Sequence, residues 1–306
     1  MNQGRNLVWS KRLHWEKYLR PQSISETLEL LEESGGDARI IAGGTDLIPQ
    51  IRNKEKAPKV LVDITRIPGL NEIKLEDGLI KLGALVTHSQ VAESPLIREK
   101  ALALSEGASL LGSPQIRNLG TVVGNVVNGQ PGADTSIPLL ALDAGVKVVS
   151  EKGERRISLL EFFIDTGRTA VDSNREMVTE ISFPALNENE TSVSLRVARR
   201  KALALPILTL SVVLSADLKK KAFRYARIAL GPVAPVPFRA QGAEKLLTSA
   251  LITDGIIKET AQKVAQESNP RTSPLRGSEE YRRAIIANLV ERGIREGIER
   301  LEGKHV

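Results

Sequence analysis

The chain has 306 residues, 41% of them hydrophobic, enough for about two domains with substantial cores. It contains no cysteine, which excludes disulfides, thiolate nucleophiles, zinc–thiolate sites and cysteine-ligated iron–sulfur clusters within the chain. The net charge of +6, from 43 basic and 37 acidic residues, is a thin surplus, and with aromatics at only 3% it argues against nucleic acid as a partner.

Residues 1–14 are basic and lack apolar periodicity, so they read as an arm, with no apolar run of signal-peptide length. Ser23-Ile24-Ser25-Glu26 has capping-box spacing, and Ile24, Leu28 and Leu31 follow at i, i+4 and i+7. This predicts a short amphipathic helix closing near Gly35-Gly36. Ala38-Arg39-Ile40-Ile41 is a short strand running directly into the turn Ala42-Gly43-Gly44-Thr45-Asp46. Residues 60–64 and 79–86 predict further strands, with Asp77-Gly78 as a turn. Thr87-His88-Ser89 reads as the start of a helix, and 95–109 as another helix. A strand and turn are expected through 116–125, then a helix over 136–143 with Pro138 near its first turn. Residues 145–150 and 155–159 predict a hairpin about Lys152-Gly153.

Short strands alternating with short helices indicate an α+β domain. The polar stretch 185–191 marks a boundary, dividing the chain into a first domain over 15–187 and a second over 188–306. Residues 203–218 and 223–230 then predict two long strands joined by Lys219-Lys220-Lys221. The longest uncharged run, 202–216, falls short of the about 20 residues a membrane helix needs and contains Pro206, so no membrane partner and a cytoplasmic location are expected. Two helices close the chain, one with Ile257, Ala261 and Val264 on a face, the other with Tyr281, Ile285, Asn288 and Leu289. A sheet with helices on one face is the expected second domain.

The strand leading into Gly43-Gly44 has the chemistry an anion needs, because residues without Cβ let backbone amides approach phosphate oxygens and Thr45 adds a hydroxyl. Alone, a double glycine is a tight turn. Neither GxGxxG nor GxxxxGKS/T occurs, so Rossmann and P-loop sites are excluded. A second turn, Gly120-Thr121-Val122-Val123-Gly124-Asn125, repeats the design and is followed by Pro131-Gly132 and Asp134. Two amide-rich turns suit a diphosphate. His14, His88 and His305 are too scattered to form a metal site.

Four segments, IIAGGTDLIPQIR from Ile40, SPQIRNLGTVVGNVVNGQPGADTSIPLLALDA from Ser113, ALGPVAPVPFRAQGAE from Ala229 and LRGSEEYRRAIIANLVERGI from Leu275, carry a resemblance. From about Tyr18 onward the chain resembles the FAD-binding (medium) subunits of the molybdenum hydroxylase family, of xanthine dehydrogenase and carbon monoxide dehydrogenase type. The resemblance implies a flavin-binding domain of the vanillyl-alcohol oxidase (PCMH-type) superfamily, followed by the family's smaller α+β carboxyl-terminal domain. It implies FAD, bound non-covalently, with molybdopterin and iron–sulfur clusters only on partner subunits. Ile40, Ile41, Ala42, Gly43, Gly44, Thr45, Asp46 and Leu47 would wrap the FAD pyrophosphate, and Thr121, Val122, Gly124 and Asn125 would hold it from the other side. Asp134 would bind the adenosine half, Met177 and Val178 would touch the isoalloxazine, and Arg196 would stand where the family places a lysine near the flavin. No catalytic acid or base and no metal is expected in this chain. The implied activity is electron transfer in a hetero-oligomeric oxidoreductase, between a 2Fe–2S small subunit and NAD or another acceptor, with substrate hydroxylated on a molybdopterin-binding large subunit.

Two departures from the family stand out. Val123 replaces a glycine in the second turn, and in the left-handed region it would cost roughly 1 to 2 kcal/mol, set against about 12 kcal/mol for a nanomolar cofactor site. Pro232 replaces another glycine and removes an amide donor. His88 invites a covalent flavin link, which its place at a helix start and the non-covalent habit of the family argue against. The Arg199-Arg200-Lys201 run suits an anionic nicotinamide cofactor or acidic partner, and equally a solvated strand end. Arg276, Tyr281, Arg282 and Arg283 are explained by helix-surface pairing and interdomain contacts. Two alternatives remain: a free-standing flavin reductase or oxidase of the same superfamily, and a scaffold subunit with a decayed flavin site.

Overall fold

The computed structural model describes residues 15–200 and 203–304; the basic arm, Lys201, His14 and His305 lie outside the described residues. The chain begins with a three-stranded parallel sheet in which Val60–Asp63 runs between Lys17–Leu19 and Ala38–Ile41. Alternation along the central strand serves two packing layers. Val60 and Val62 face the main core with Leu28 and Leu31 of the helix Ile24–Glu33, whereas Leu61 joins Ile41 and Ile51 on the other face. That helix is capped by Ser23, whose Oγ accepts from the Glu26 amide at 3.1 Å, but the Glu26 carboxylate accepts from Gln22 N rather than from the cap residue.

A five-stranded antiparallel sheet follows, in the order Ile73–Glu76, Leu79–Gly83, Met177–Pro184, Gly145–Ser150, Gly153–Ser158. The chain between its second and fourth strands is helical, and here the sequence expectations need correction. The strand expected over 79–86 ends at Gly83. The helix expected over 95–109 is two, Pro95–Lys100 and Leu102–Leu110, broken at Ala101 with φ −159° and ψ 50°. The strand and turn expected through 116–125 are instead the helices Pro114–Leu119 and Val122–Val127. Four valines favour a strand locally, but burial decides: Val122, Val123 and Val126 pack into the main core, and Ser113 and Thr121 cap the two helices through their hydroxyls. The helix Ser136–Ala141 and the hairpin about Lys152-Gly153 form as expected.

The carboxyl-terminal half is a four-stranded antiparallel sheet, Glu190–Ala198, Pro206–Asp217, Ala222–Gly231 and Phe238–Arg239 in that order. Its first strand was not expected, because its polar start reads as linker. Along Pro206–Asp217 every residue but the last is buried, since both faces of the sheet are covered. Leu210, Val212 and Leu214 face the helices of this half, whereas Val213 belongs to the core of the first half, where the helices Leu102–Leu110 and Ser136–Ala141 lie. The long helix Glu279–Lys304 buries Arg282, Ile286, Leu289, Val290, Ile294 and Leu301, so its inner stripe is offset from the expected one and leaves Tyr281 half exposed. It approaches the sheet closely where it lacks side chains: a Cβ on Gly297 would lie 2.5 Å from Leu214 Cδ1. Arg300 ties the halves together, donating to Ser192 O and to the Glu106 carboxylate, each at 2.7 Å.

Candidate functional site

The strand Ala38–Ile41 delivers the chain into the first glycine turn at the floor of a cavity of about 1300 Å³. A Cβ on Gly43 would lie 1.8 Å from the Leu119 carbonyl oxygen, so only glycine lets the first turn lie against the residues that open the second. Gly44 has φ +66°, a left-handed backbone that glycine adopts without strain. The two turns, distant in sequence, are therefore in direct contact.

The second turn is a helix start. Thr121 Oγ1 accepts from the Gly124 amide at 3.0 Å, and Thr121 pairs with Thr87 in an isolated bridge. Val123 lies within the helix and outside the left-handed region, so the expected strain does not arise. Val122 differs from its expected role: its side chain is fully buried, its amide donates to Val86 O at 2.9 Å, and it is absent from the cavity wall. Asn125 accepts from the Thr135 hydroxyl at 2.9 Å, which fixes its amide and leaves the NH2 end free to donate.

The cavity wall includes Ile40, Ile41, Ala42, Thr45, Asp46 and Leu47 from the first turn, and Thr121, Gly124 and Asn125 from the second. Met177 and Val178, at the start of the central strand of the five-stranded sheet, add an apolar wall. Burial pushes the Asp46 carboxyl up, partly offset by the charge of Lys56, whose ammonium is in turn pushed down by burial and by Arg39. The cavity rim also holds Leu203 and Leu205, 58% and 65% exposed.

Asp134 and Arg196 sit side by side, Oδ1 to Nε 3.2 Å, with side chains only 10% and 7% exposed. The contact is a charge pair without hydrogen-bond alignment, since this Nε–H finds no acceptor. Burial pushes the Asp134 carboxyl up to about 6, while Arg196 and the Thr209 hydroxyl at 3.4 Å pull the other way. Arg196 also donates to Leu110 O at 3.3 Å and to Ala204 O. The sequence assigned Asp134 to the adenosine half of a dinucleotide and Arg196 to the flavin half. In the structure the two side chains are adjacent and line the same cavity wall.

Pro232 acquires a place. A Cβ on Gly132 would lie 3.2 Å from Pro232 Cδ, and a Cβ on Gly231 would lie 2.1 Å from Pro131 O, so this segment packs against the loop that carries Asp134. Arg282, 5% exposed, donates to the Pro232 carbonyl and to Arg271 O. Arg276 donates to Pro206 O at 3.2 Å, Arg199 to Pro274 O at 2.7 Å and Arg200 to Leu203 O at 3.0 Å. Of these contacts, those of Arg276 with Pro206 and of Arg200 with Leu203 brace residues of the cavity wall.

Sequence reasoning missed several wall residues, among them Arg39, Lys56, Gln130 and the stretch 166–169, and weighed His88 only as a covalent flavin link. None carries a local motif. His88 is 2% exposed, its Nδ1 has no partner, and burial, then the charge of Arg117, hold its imidazole down at about 4. Among the described residues no group of His, Cys, Asp and Glu could hold a metal, and no helix is long and apolar enough to cross a membrane.

Residues 12–186 match the family described as the FAD binding domain in molybdopterin dehydrogenase, and residues 193–297 match the CO dehydrogenase flavoprotein C-terminal domain. The chain belongs to the FAD-binding medium subunits of the molybdenum hydroxylases. This medium subunit is 32% identical to the glyceraldehyde dehydrogenase medium chain of Sulfolobus acidocaldarius, over 91% of its own length and 97% of the relative's. It is 30% identical to the carbon monoxide dehydrogenase medium chain of Hydrogenophaga pseudoflava, over 91% and 95% of the two chains. A solved carbon monoxide dehydrogenase from Hydrogenophaga pseudoflava superposes with a TM-score of 0.88 at 29% identity, covering 94% of this chain and 98% of that one. Quinoline 2-oxidoreductase from Pseudomonas putida 86 gives 0.84 at 26% identity, over 95% and 98%. The chain is thus an oxidoreductase subunit with an FAD-binding domain and a CO dehydrogenase flavoprotein carboxyl-terminal domain.

Proposed function

We propose that this medium subunit holds FAD non-covalently in its large cavity and relays electrons within a molybdenum hydroxylase complex, from a 2Fe–2S small subunit to NAD or another acceptor. The observation that carries the reading is the contact of the two glycine turns, Gly43 against Leu119 O, which sets two amide-rich segments around one space suited to a pyrophosphate. Residues 40–47 would hold it on one side, with the Thr45 hydroxyl, and Thr121, Gly124 and Asn125 on the other. Asp134 and Arg196 would face one half of the dinucleotide, Met177 and Val178 an apolar portion of it. Bound FAD would supply the redox chemistry that none of this chain's side chains has. The chain's own residues orient the ligand, exclude water from it and set the charge around it. We take 15–187 as the FAD-binding domain and 188–306 as the carboxyl-terminal domain. Relatives named as the 6-hydroxypseudooxynicotine dehydrogenase complex subunit alpha and caffeine dehydrogenase subunit beta support a multi-subunit assembly.

The test is purification of the full chain from its native host. Co-purification with a molybdopterin-binding and an iron–sulfur subunit, with flavin bleached by the complex's reducing substrate and recoloured by the acceptor, is expected. Steady turnover of a small organic substrate by the isolated chain would overturn it in favour of the free-standing reductase.

A further inference from the structure

His88 stands where the two turns meet. A Cβ placed on Gly120 would lie 3.3 Å from Thr45 Oγ1 and 3.4 Å from His88 Cδ2, so the imidazole and the Thr45 hydroxyl flank the same glycine. The His88 backbone amide donates to Gly120 O at 3.1 Å, which fixes the residue against the second turn. His88 is among the residues lining the cavity, is 2% exposed, and makes no side-chain hydrogen bond with any described residue, its Nδ1 being fully buried.

A neutral imidazole carries one donor and one acceptor, and leaving either unmet in the interior is unfavourable. A carbon ring of similar size would fill this position without that cost. Nδ1 is sealed in the interior, so Nε2 is the ring nitrogen that an occupant of the cavity can reach. We propose that His88 is a positioning residue of the dinucleotide site, donating its Nε2–H to the phosphate region of the ligand, directly or through one ordered water, beside the Thr45 hydroxyl. The assignment rests on the FAD reading given above. Burial and the nearby Arg117 keep the free imidazole neutral down to about pH 4, so a single ring nitrogen carries the proton that is donated. An arriving pyrophosphate brings negative charge, which favours the protonated form and moves the His88 titration upward.

The full-length chain carrying His14→Gln and His305→Gln leaves His88 as the sole histidine, so its ring nitrogens can be followed by NMR in the free and FAD-loaded protein. The expected result is a neutral ring in the free protein and, with FAD, a new exchange-protected ring N–H and a raised titration midpoint. FAD uptake with unchanged His88 signals would overturn the assignment and leave the flavin reading intact; no FAD uptake by the parent chain would remove both. A second variant, His88→Phe, keeps the ring and removes its nitrogens. FAD affinity should weaken about 10- to 100-fold while the ligand-free chain melts at the same or a higher temperature. A lower melting temperature with unchanged FAD affinity would make His88 structural and refute the proposal.

Discussion

Replacing Gly43 by alanine is the sharpest perturbation of the site. The new Cβ would sit 1.8 Å from Leu119 O and 2.5 Å from Leu119 C, backbone atoms that no side-chain rotation can move aside. The two turns must part by more than an ångström, and overpacking of this kind costs about 1 to 3 kcal/mol in the free protein. The larger effect falls on binding, because a cradle opened by that distance cannot bring both sets of amides onto one pyrophosphate. Loss of a single charge-assisted hydrogen bond, about 1.5 to 3 kcal/mol, weakens affinity roughly 10- to 100-fold. Titration of the ligand-free variant with FAD, followed by flavin fluorescence, measures this directly. Gly255→Ala is the control, since its Cβ would meet only Thr253 Oγ1 at 3.8 Å within the helix Asp254–Glu267. It should leave FAD affinity unchanged and stabilise the chain by up to about 1 kcal/mol. A Gly43→Ala chain that binds FAD as tightly as the parent would refute the claim that the contact between turns builds the site.

Three further predictions follow from the same geometry. The folded chain keeps the Asp134 proton up to about pH 6 whereas the unfolded chain releases it near 3.8, so this group's contribution to stability is present at low pH and is lost as pH rises from about 4 to 6. Urea unfolding of the parent and Asp134→Asn across that window should show the parent losing ground by a few kcal/mol, on the order of 1.4 per pH unit; a difference constant with pH would contradict the buried, destabilised carboxylate. Arg196→Met should shift that window upward by removing the cation that lowers the Asp134 carboxyl, which the same measurement reads. Restoring the family glycine with Val123→Gly should destabilise the chain by about 2 kcal/mol or more, because Val123 is 4% exposed and helical, and FAD should bind no tighter. Tighter binding would revive the idea of a strained turn.

The glycine turns were legible in the sequence because each depends on residue types that carry their own backbone constraint. Their contact was not, since nothing near Gly43 announces that Leu119 will lie against it. The strand Pro206–Asp217 was legible as an unbroken apolar run, which is what burial on both faces demands, whereas Glu190–Ala198 was hidden by its polar start. Residues 116–125 were misread for a definite reason: valine prefers strands locally, and the core that pulls Val122, Val123 and Val126 inward is a tertiary fact. The Asp134–Arg196 pair lay beyond reach for the same reason, because its members come from different halves of the chain and meet only when the four-stranded sheet packs on the helices of the first half. The strain expected at Val123 is absent, and Pro232 packs against the loop that carries Asp134.

The central claim, that these two turns cradle FAD, is tested most directly by titrating the purified, flavin-free full-length chain with FAD and recording its absorbance after gel filtration. The prediction is saturable uptake of a single FAD per chain, retained through the column and released intact on acid denaturation. A chain that stays colourless at saturating FAD, while folded by circular dichroism, would contradict it.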